Sequence, residues 1–284
     1  MGVPVTECVT VAPGVDLHVR RWDGGGSPSG LPFLLVHGLA SNARTWDGMA
    51  GRLHELGHPV ASLDLRGHGS SAKPDEGYDF SSMTADVLRV LDQLEWARTV
   101  IAGQSTGGNL AIDAAALAPS RVAGVVGIDG GFIELRARWP QWEDCERALA
   151  PPALEGIPRS RVAAAIRAAH PDWNVEGVEA TLANLEALPD GTVRPWLTRA
   201  RHLRILRALW EHTPSKVIAT LAVPVLLVPA DSGDAWSRRK RAEVERVAAA
   251  GSDVRVHWFS PADHDVHVQH PRELADVLHQ WAPR

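Results

Sequence analysis

The sequence predicts an α/β fold: a doubly wound, mostly parallel, eight-stranded sheet between layers of helices, with a helical insertion. Three observations predict it. Short apolar runs alternate with segments of helical spacing along most of the chain. Most of those runs are continuously apolar, as in strands buried on both faces. One long stretch, from about Glu134 to Pro214, breaks the alternation and shows no convincing strand.

Taken in order, Val5–Val11 and Leu17–Trp22 flank Pro13-Gly14 and read as an opening hairpin, followed by a loose loop at Gly24–Gly30. The buried strands are then expected at Pro32–Val36, Pro59–Leu63, Thr99–Ala102, Val122–Ile128, Pro224–Val228 and Val254–Phe259. Helical spacing places helices at Thr45–Leu56, Thr84–Leu94, Gly107–Leu117, Ser237–Ala250 and Pro271–Gln280. Inside the long insertion the same spacing recurs in Val162–Ala169, Val178–Leu188 and Leu203–Trp210. Residues 134–214 are therefore expected to form a helical lid (cap) over a core made of residues 1–133 and 215–284. A chain of 284 residues is long enough to bury such a sheet.

Composition narrows the partners. A net charge of −5, with 45% apolar and 22% charged residues, is ordinary for a globular protein and offers no attraction to nucleic acid or acidic membrane. The basic stretches Arg199–Arg207 and Arg238–Arg241 read as solvated helix faces. No apolar run approaches the roughly 20 residues that cross a bilayer. Cys8 and Cys145 are too few for a disulfide framework, and Met1–Thr10 lacks a secretory pattern, so a cytoplasmic setting is expected.

The sharpest chemical signal is Gly103-Gln104-Ser105-Thr106-Gly107-Gly108, a G-x-S-x-G pattern directly after one expected strand and directly before one expected helix. A serine at such a turn is strained and lifted clear of the sheet, at the positive end of a helix. A phosphate loop is the competing reading of a glycine-rich turn, but neither G-x-G-x-x-G nor a P-loop lysine is present. Ser105 is thus the candidate nucleophile. Its candidate base is His264, in Asp263-His264-Asp265 after the last strand, where a loop can reach the end of a central strand. His264, His267 and His270 also invite a metal reading. Their spacing would need a helix, whereas Pro271 more naturally opens one, and no HExxH pattern occurs. No metal and no cofactor are expected.

These motifs resemble the α/β-hydrolase superfamily, in its cap-bearing serine hydrolase branch. The likeness covers nearly all of the core, in order: Leu35-Val36-His37-Gly38-Leu39, then Asp64-Leu65-Arg66-Gly67-His68-Gly69-Ser70-Ser71, the turn around Ser105, and His264 followed by Pro271. The resemblance implies that Leu39 and Thr106 supply the backbone amides of an oxyanion hole, and that Asp64–Ser71 is a structural turn. Haloalkane dehalogenases and epoxide hydrolases of this branch carry aspartate where Ser105 stands, and dehalogenases carry tryptophan where Thr106 stands, so neither activity is implied.

The resemblance also implies an orienting carboxylate after the sixth or the seventh core strand. Asp129 ends the run Val122–Ile128, whereas Asp231 and Asp234 flank Gly233, the usual position after Pro224–Val228. Asp129 is favoured, with Asp231 as the alternative. For the lid, Trp139, Trp142, Trp196 and Trp210 are candidate roof residues, since indole offers a large apolar face with one donor. The plainer role of any one of them is packing lid helices on the core. The expected activity is hydrolysis of a carboxylic ester or lactone of a mid-sized, partly apolar small molecule through an acyl-serine. C–C bond hydrolysis, thioester hydrolysis, perhydrolysis and slow-turnover ligand reception remain open alternatives on the same residues.

Overall fold

A computed structural model describes residues 3–22 and 30–283; Gly24–Ser29 of the expected loop lie outside the described residues. The chain opens with strands β1 (Val5–Ala12), β2 (Val15–Trp22), β3 (Phe33–Val36), β4 (Val60–Leu63), β5 (Thr99–Gln104) and β6 (Val122–Ile128). Short strands β7 (Ile157–Pro158), β8 (Leu185–Ala187) and β9 (Thr192–Pro195) follow, then β10 (Val225–Val228) and β11 (Val254–Val256). Eight of these form one sheet in the order β1-β2-β4-β3-β5-β6-β10-β11. β2 is antiparallel to β1 and β4, and every other neighbouring pair is parallel.

Helices α1 (Asp47–Glu55), α2 (Phe80–Gln93) and α3 (Thr106–Leu117) punctuate the first strands. Then come α4 (Leu135–Arg138), α5 (Trp142–Leu149), α6 (Arg159–Ala169), α7 (Val175–Leu182), α8 (Arg199–Glu211) and α9 (Pro214–Ile218). The chain finishes through α10 (Ala235–Ala248), α11 (Val266–Gln269) and α12 (Pro271–Trp281).

The continuous apolar runs are explained by burial on both faces, except the last: β11 spans only Val254–Val256, at the edge of the sheet, and is largely exposed. Leu34 and Val36 of β3, Ile101 of β5 and Leu227 of β10 pack on one side, with Met83 and Val87 of α2 and Leu110 of α3. Phe33 and Leu35, Val100 and Ala102, and Leu226 and Val228 pack on the other, with Met49 and Leu53 of α1 and Leu274 and Leu278 of α12. Alternate residues of one strand thus serve two cores, as a pleat requires.

The segment between β6 and β10 is mostly helical, with a departure from the expected all-helical insertion. β7, β9 and β8 form a small three-stranded antiparallel sheet. Val178–Leu188, which reads as one helix, stops being helical after Leu182 and re-enters as β8. The turn that follows is held by Asp190 Oδ1, which accepts from both the amide (2.9 Å) and the hydroxyl (2.6 Å) of Thr192. Strands of two to four residues carry too little pattern to be seen in sequence. Among the described residues no helix is long and apolar enough to cross a membrane.

Candidate active site

The β5–α3 junction is built as the motif demands. β5 ends at Gln104, α3 begins at Thr106, and Ser105 between them has φ 52° and ψ −121°. A positive φ at a non-glycine residue costs on the order of 1–3 kcal/mol, so surrounding contacts must hold it. The Ser105 amide donates to Ile128 O at 3.0 Å, and the Gly108 amide donates back to Ser105 O at 3.0 Å. The next turn of chain passes so close to β3 that a Cβ on Gly107 would stand 2.2 Å from Val36 O. Only glycine permits that approach.

Asp129, one residue beyond β6, is also at positive φ (39°) and is 4% exposed. Its Oδ2 accepts from His264 Nδ1 at 2.6 Å, and its Oδ1 accepts from the Ala230 amide at 3.0 Å. Burial would raise the Asp129 carboxyl, but the bond and charge of His264, with the charge of Lys240, hold it below the usual carboxylate range. For His264, burial lowers the imidazole pKa, and the bond and charge of Asp129 more than reverse this, leaving it raised. Half of the His264 side chain (53%) is open, so its far edge stays accessible. Gln104, beside Ser105, donates to His264 O and to Asp265 Oδ1, both at 3.3 Å, and so ties the histidine loop to the serine turn.

The other candidate acids are placed elsewhere. Asp231 accepts from the Gly233 amide at 2.9 Å and pairs with Arg241. Asp234 caps α10, accepting from the Ser237 amide at 2.8 Å. Both carry out the turn and cap work that short acids do.

Leu39 and Thr106 line the same cavity as Ser105, Asp129 and His264. Thr106 opens α3, where the first helical amides lack intrahelical partners. The Leu39 segment is clamped by two buried histidines. His37 Nε2 accepts from the Leu65 amide at 3.0 Å, which leaves the proton on Nδ1 to donate to Gly38 O at 2.7 Å. Because C=O and N–H of one trans peptide point oppositely, pinning Gly38 O aims the Leu39 N–H the other way. His68 Nε2 accepts from the Ala40 amide at 3.2 Å, and burial pushes its imidazole down to about 3, so it stays neutral and an acceptor. Thus the Asp64–Ser71 turn supports this segment through His68.

The cavity measures about 360 Å³ and is walled largely by apolar side chains, including Phe132, Leu149, Leu206 and Trp139. A second cavity of about 880 Å³ lies between the inserted segment and the core, and His202 borders both. Of the four tryptophans singled out, Trp139 lines the first and Trp196 the second. Trp142 and Trp210 line neither; they meet edge to face at 6.0 Å, and buried Trp210 donates Nε1–H to Trp139 O at 2.7 Å. Their apolar faces are spent on packing the insertion.

Two lining residues carried no sequence signal. Trp236 sits under the Arg138 guanidinium at 3.6 Å. Lys240, in the Arg238–Arg241 run expected to be a solvated face, is 6% exposed and lies against Asp129. One position in that run points inward because α10 packs on the sheet. His267 is also buried, its ring tilted against that of Trp46 with centroids 4.2 Å apart. Among the described residues no group of three His, Cys, Asp or Glu side chains is arranged to hold a metal ion.

The comparisons with known proteins agree with this fold. The sequence profile of the alpha/beta hydrolase family matches residues 33–277. An esterase of Mycobacterium tuberculosis is 27% identical over 287 residues, covering 97% of this chain and 89% of that protein. A non-heme chloroperoxidase of Streptomyces lividans is 34% identical over 119 residues, 42% of each chain. The chain spans only 28–42% of the length of the first curated relatives it matches. Among solved structures, E-2-(acetamidomethylene)succinate hydrolase superposes with a TM-score of 0.78 at 23% identity, covering 98% of both chains, which is a likeness of fold.

Proposed function

The chain belongs to the alpha/beta hydrolase family, and from that premise we propose that it is a serine hydrolase of a carboxylic ester or lactone. The observation that carries this reading is the 2.6 Å contact of His264 Nδ1 with buried Asp129, on a histidine whose open edge shares a cavity with Ser105. The near full-length likeness to a mycobacterial esterase supports it.

In this mechanism Ser105 Oγ attacks the substrate carbonyl carbon while His264 Nε2 takes the hydroxyl proton. The carbonyl oxygen becomes an oxyanion facing the Leu39 and Thr106 amides, donors fixed in advance by His37, His68 and α3. Collapse breaks the bond to the alcohol, which leaves with the proton from His264, and an acyl-serine remains. Water then repeats the sequence with His264 as base, releasing the acid and restoring Ser105. Asp129 stays ionised throughout, holding the tautomer that keeps Nε2 free. The apolar cavity takes the group next to the carbonyl, and the larger cavity beyond His202 takes the remote part of a mid-sized substrate. Residues 134–214 act as the cap that closes both.

The test is intact-mass analysis after a fluorophosphonate probe, then an ester and lactone panel on wild type and Ser105→Ala. A single adduct lost in Ser105→Ala, with turnover lost alongside, is the expected result. An unlabelled wild type, or a variant that hydrolyses as well as wild type, would overturn the reading.

A further inference from the structure

Lys240 enters the site from α10, far along the chain from Asp129, and its ammonium meets three oxygens. Nζ lies 2.7 Å from Asp129 Oδ1, 3.0 Å from Asp129 Oδ2 and 2.8 Å from Ala230 O. An ammonium has three protons, so this set uses all of them. Although Lys240 borders the cavity, it has no donor left for a substrate. Both partners are buried, with side chains 8% and 4% exposed.

Burying one charge alone costs several kcal/mol, so a buried cluster favours neutrality. With Asp129 and His264 alone, neutrality would come from loading a proton onto the imidazole, and that would remove the base. Lys240 supplies the balancing charge instead. The surrounding charges do not take its place: Arg138 is paired with Glu243 at 3.1 Å, and Arg241 with Asp231. Asp265 adds a further negative charge near His264 and favours its protonation, His267 is pushed by burial down to about 4, and Asp263 faces His170 at 3.6 Å.

We propose that Lys240 is a positioning residue of the Ser105–His264–Asp129 relay: its ammonium locks the Asp129 carboxylate in place and offsets part of its charge, so that His264 gives up its proton, and becomes able to accept that of Ser105, at a lower pH than it would beside Asp129 alone. This rests on the serine hydrolase reading above. The imidazole then takes its proton only as negative charge builds on the oxyanion. In line with this, Lys240 works against the upward pull of Asp129 on His264.

The experiment follows kcat/KM against pH for a neutral ester in wild type, Lys240→Gln, Lys240→Met and Lys240→Arg, with folding checked by circular dichroism. The Gln and Met variants are expected to move the acid limb up by at least about one pH unit, the size of a lost charge interaction at close range. Lys240→Arg, which keeps the charge, should hold the limb near wild type, and KM should stay within about two-fold in all. An unmoved limb in the uncharged variants overturns the proposal, as does a tenfold rise in KM with the limb in place, which would make Lys240 a substrate contact. Loss of fold in both uncharged variants would overturn it too, since it would reduce Lys240 to a structural anchor. A wild type that neither labels nor turns over would instead sink the hydrolase reading.

Discussion

Gly130 and Ser105 are in backbone contact: a Cβ on Gly130 would stand 2.2 Å from the Ser105 carbonyl oxygen and 2.6 Å from its nitrogen. The turn that carries Asp129 and the turn that carries Ser105 are therefore one packed unit. Substituting Gly130→Ala must push the two apart, and a displacement of about 1 Å in a catalytic array costs on the order of 100-fold. The expected outcome is kcat/KM reduced about 100-fold with the fold retained by circular dichroism. Activity within about three-fold of wild type would show that the two turns need not touch.

The two candidate acids separate under the same substitution. Asp129→Asn should lower kcat by about 10⁴-fold, because an amide can present the wrong hydrogen-bonding group to His264. Asp231→Asn loses only its turn and Arg241 contacts and should stay within a few-fold. The reverse ranking would move the acid to the end of β10.

Activity should depend on a neutral His264. With Asp129 outweighing burial, its pKa stands above the ordinary 6.5. The base is lost as pH falls through that value, so the acid limb of kcat/KM should have its midpoint above 6.5. A midpoint well below it would mean that burial or Lys240 outweighs Asp129.

Stability should respond to pH at a different histidine. Neither ring nitrogen of His267 has a hydrogen-bond partner among the described residues, and burial pushes its imidazole down to about 4 from 6.5. Between those values the unfolded chain binds a proton that the folded chain refuses, so stability falls as pH falls across that window. The loss is roughly 3 kcal/mol. His267→Phe keeps a ring against Trp46 without the titration. Urea unfolding at several pH values should show a decline from pH 6.5 to 4 that is smaller by that amount; an equal decline in both proteins would reject the assignment.

Tryptophans of the two kinds should behave differently. Trp210→Ala removes a side chain that is 4% exposed and should cost about 3–5 kcal/mol in denaturant unfolding. Trp236, 42% exposed at the cavity rim, should change KM when replaced by Ala and shift stability by less than about 1 kcal/mol. Equal stability effects would contradict this division.

Some of this was legible from local pattern. Continuous apolar runs foretold strands buried on both faces, and the β5–turn–α3 junction around Ser105 was readable because its strain and its close approaches are dictated within a few residues. The same holds for His264, set on the loop between β11 and α11, ahead of the helix that Pro271 opens. The tryptophans of residues 134–214 were not separable by spacing. Trp142 and Trp210 differ from Trp139 only in which neighbours the insertion brings to them.

What the sequence by itself determined is therefore the sheet, the serine turn and the histidine loop, each encoded by neighbours along the chain. Which acid meets His264 is fixed only in tertiary structure: the sequence favours Asp129 but leaves Asp231 open, because the two follow adjacent parallel strands, one residue beyond β6 and three beyond β10. Consecutive residues of α10 separate them, since a helix turns about 100° per residue. Lys240 points inward to Asp129 and Arg241 outward to Asp231. A buried ammonium within a run of basic residues is invisible until the helix face that carries it is packed against the sheet.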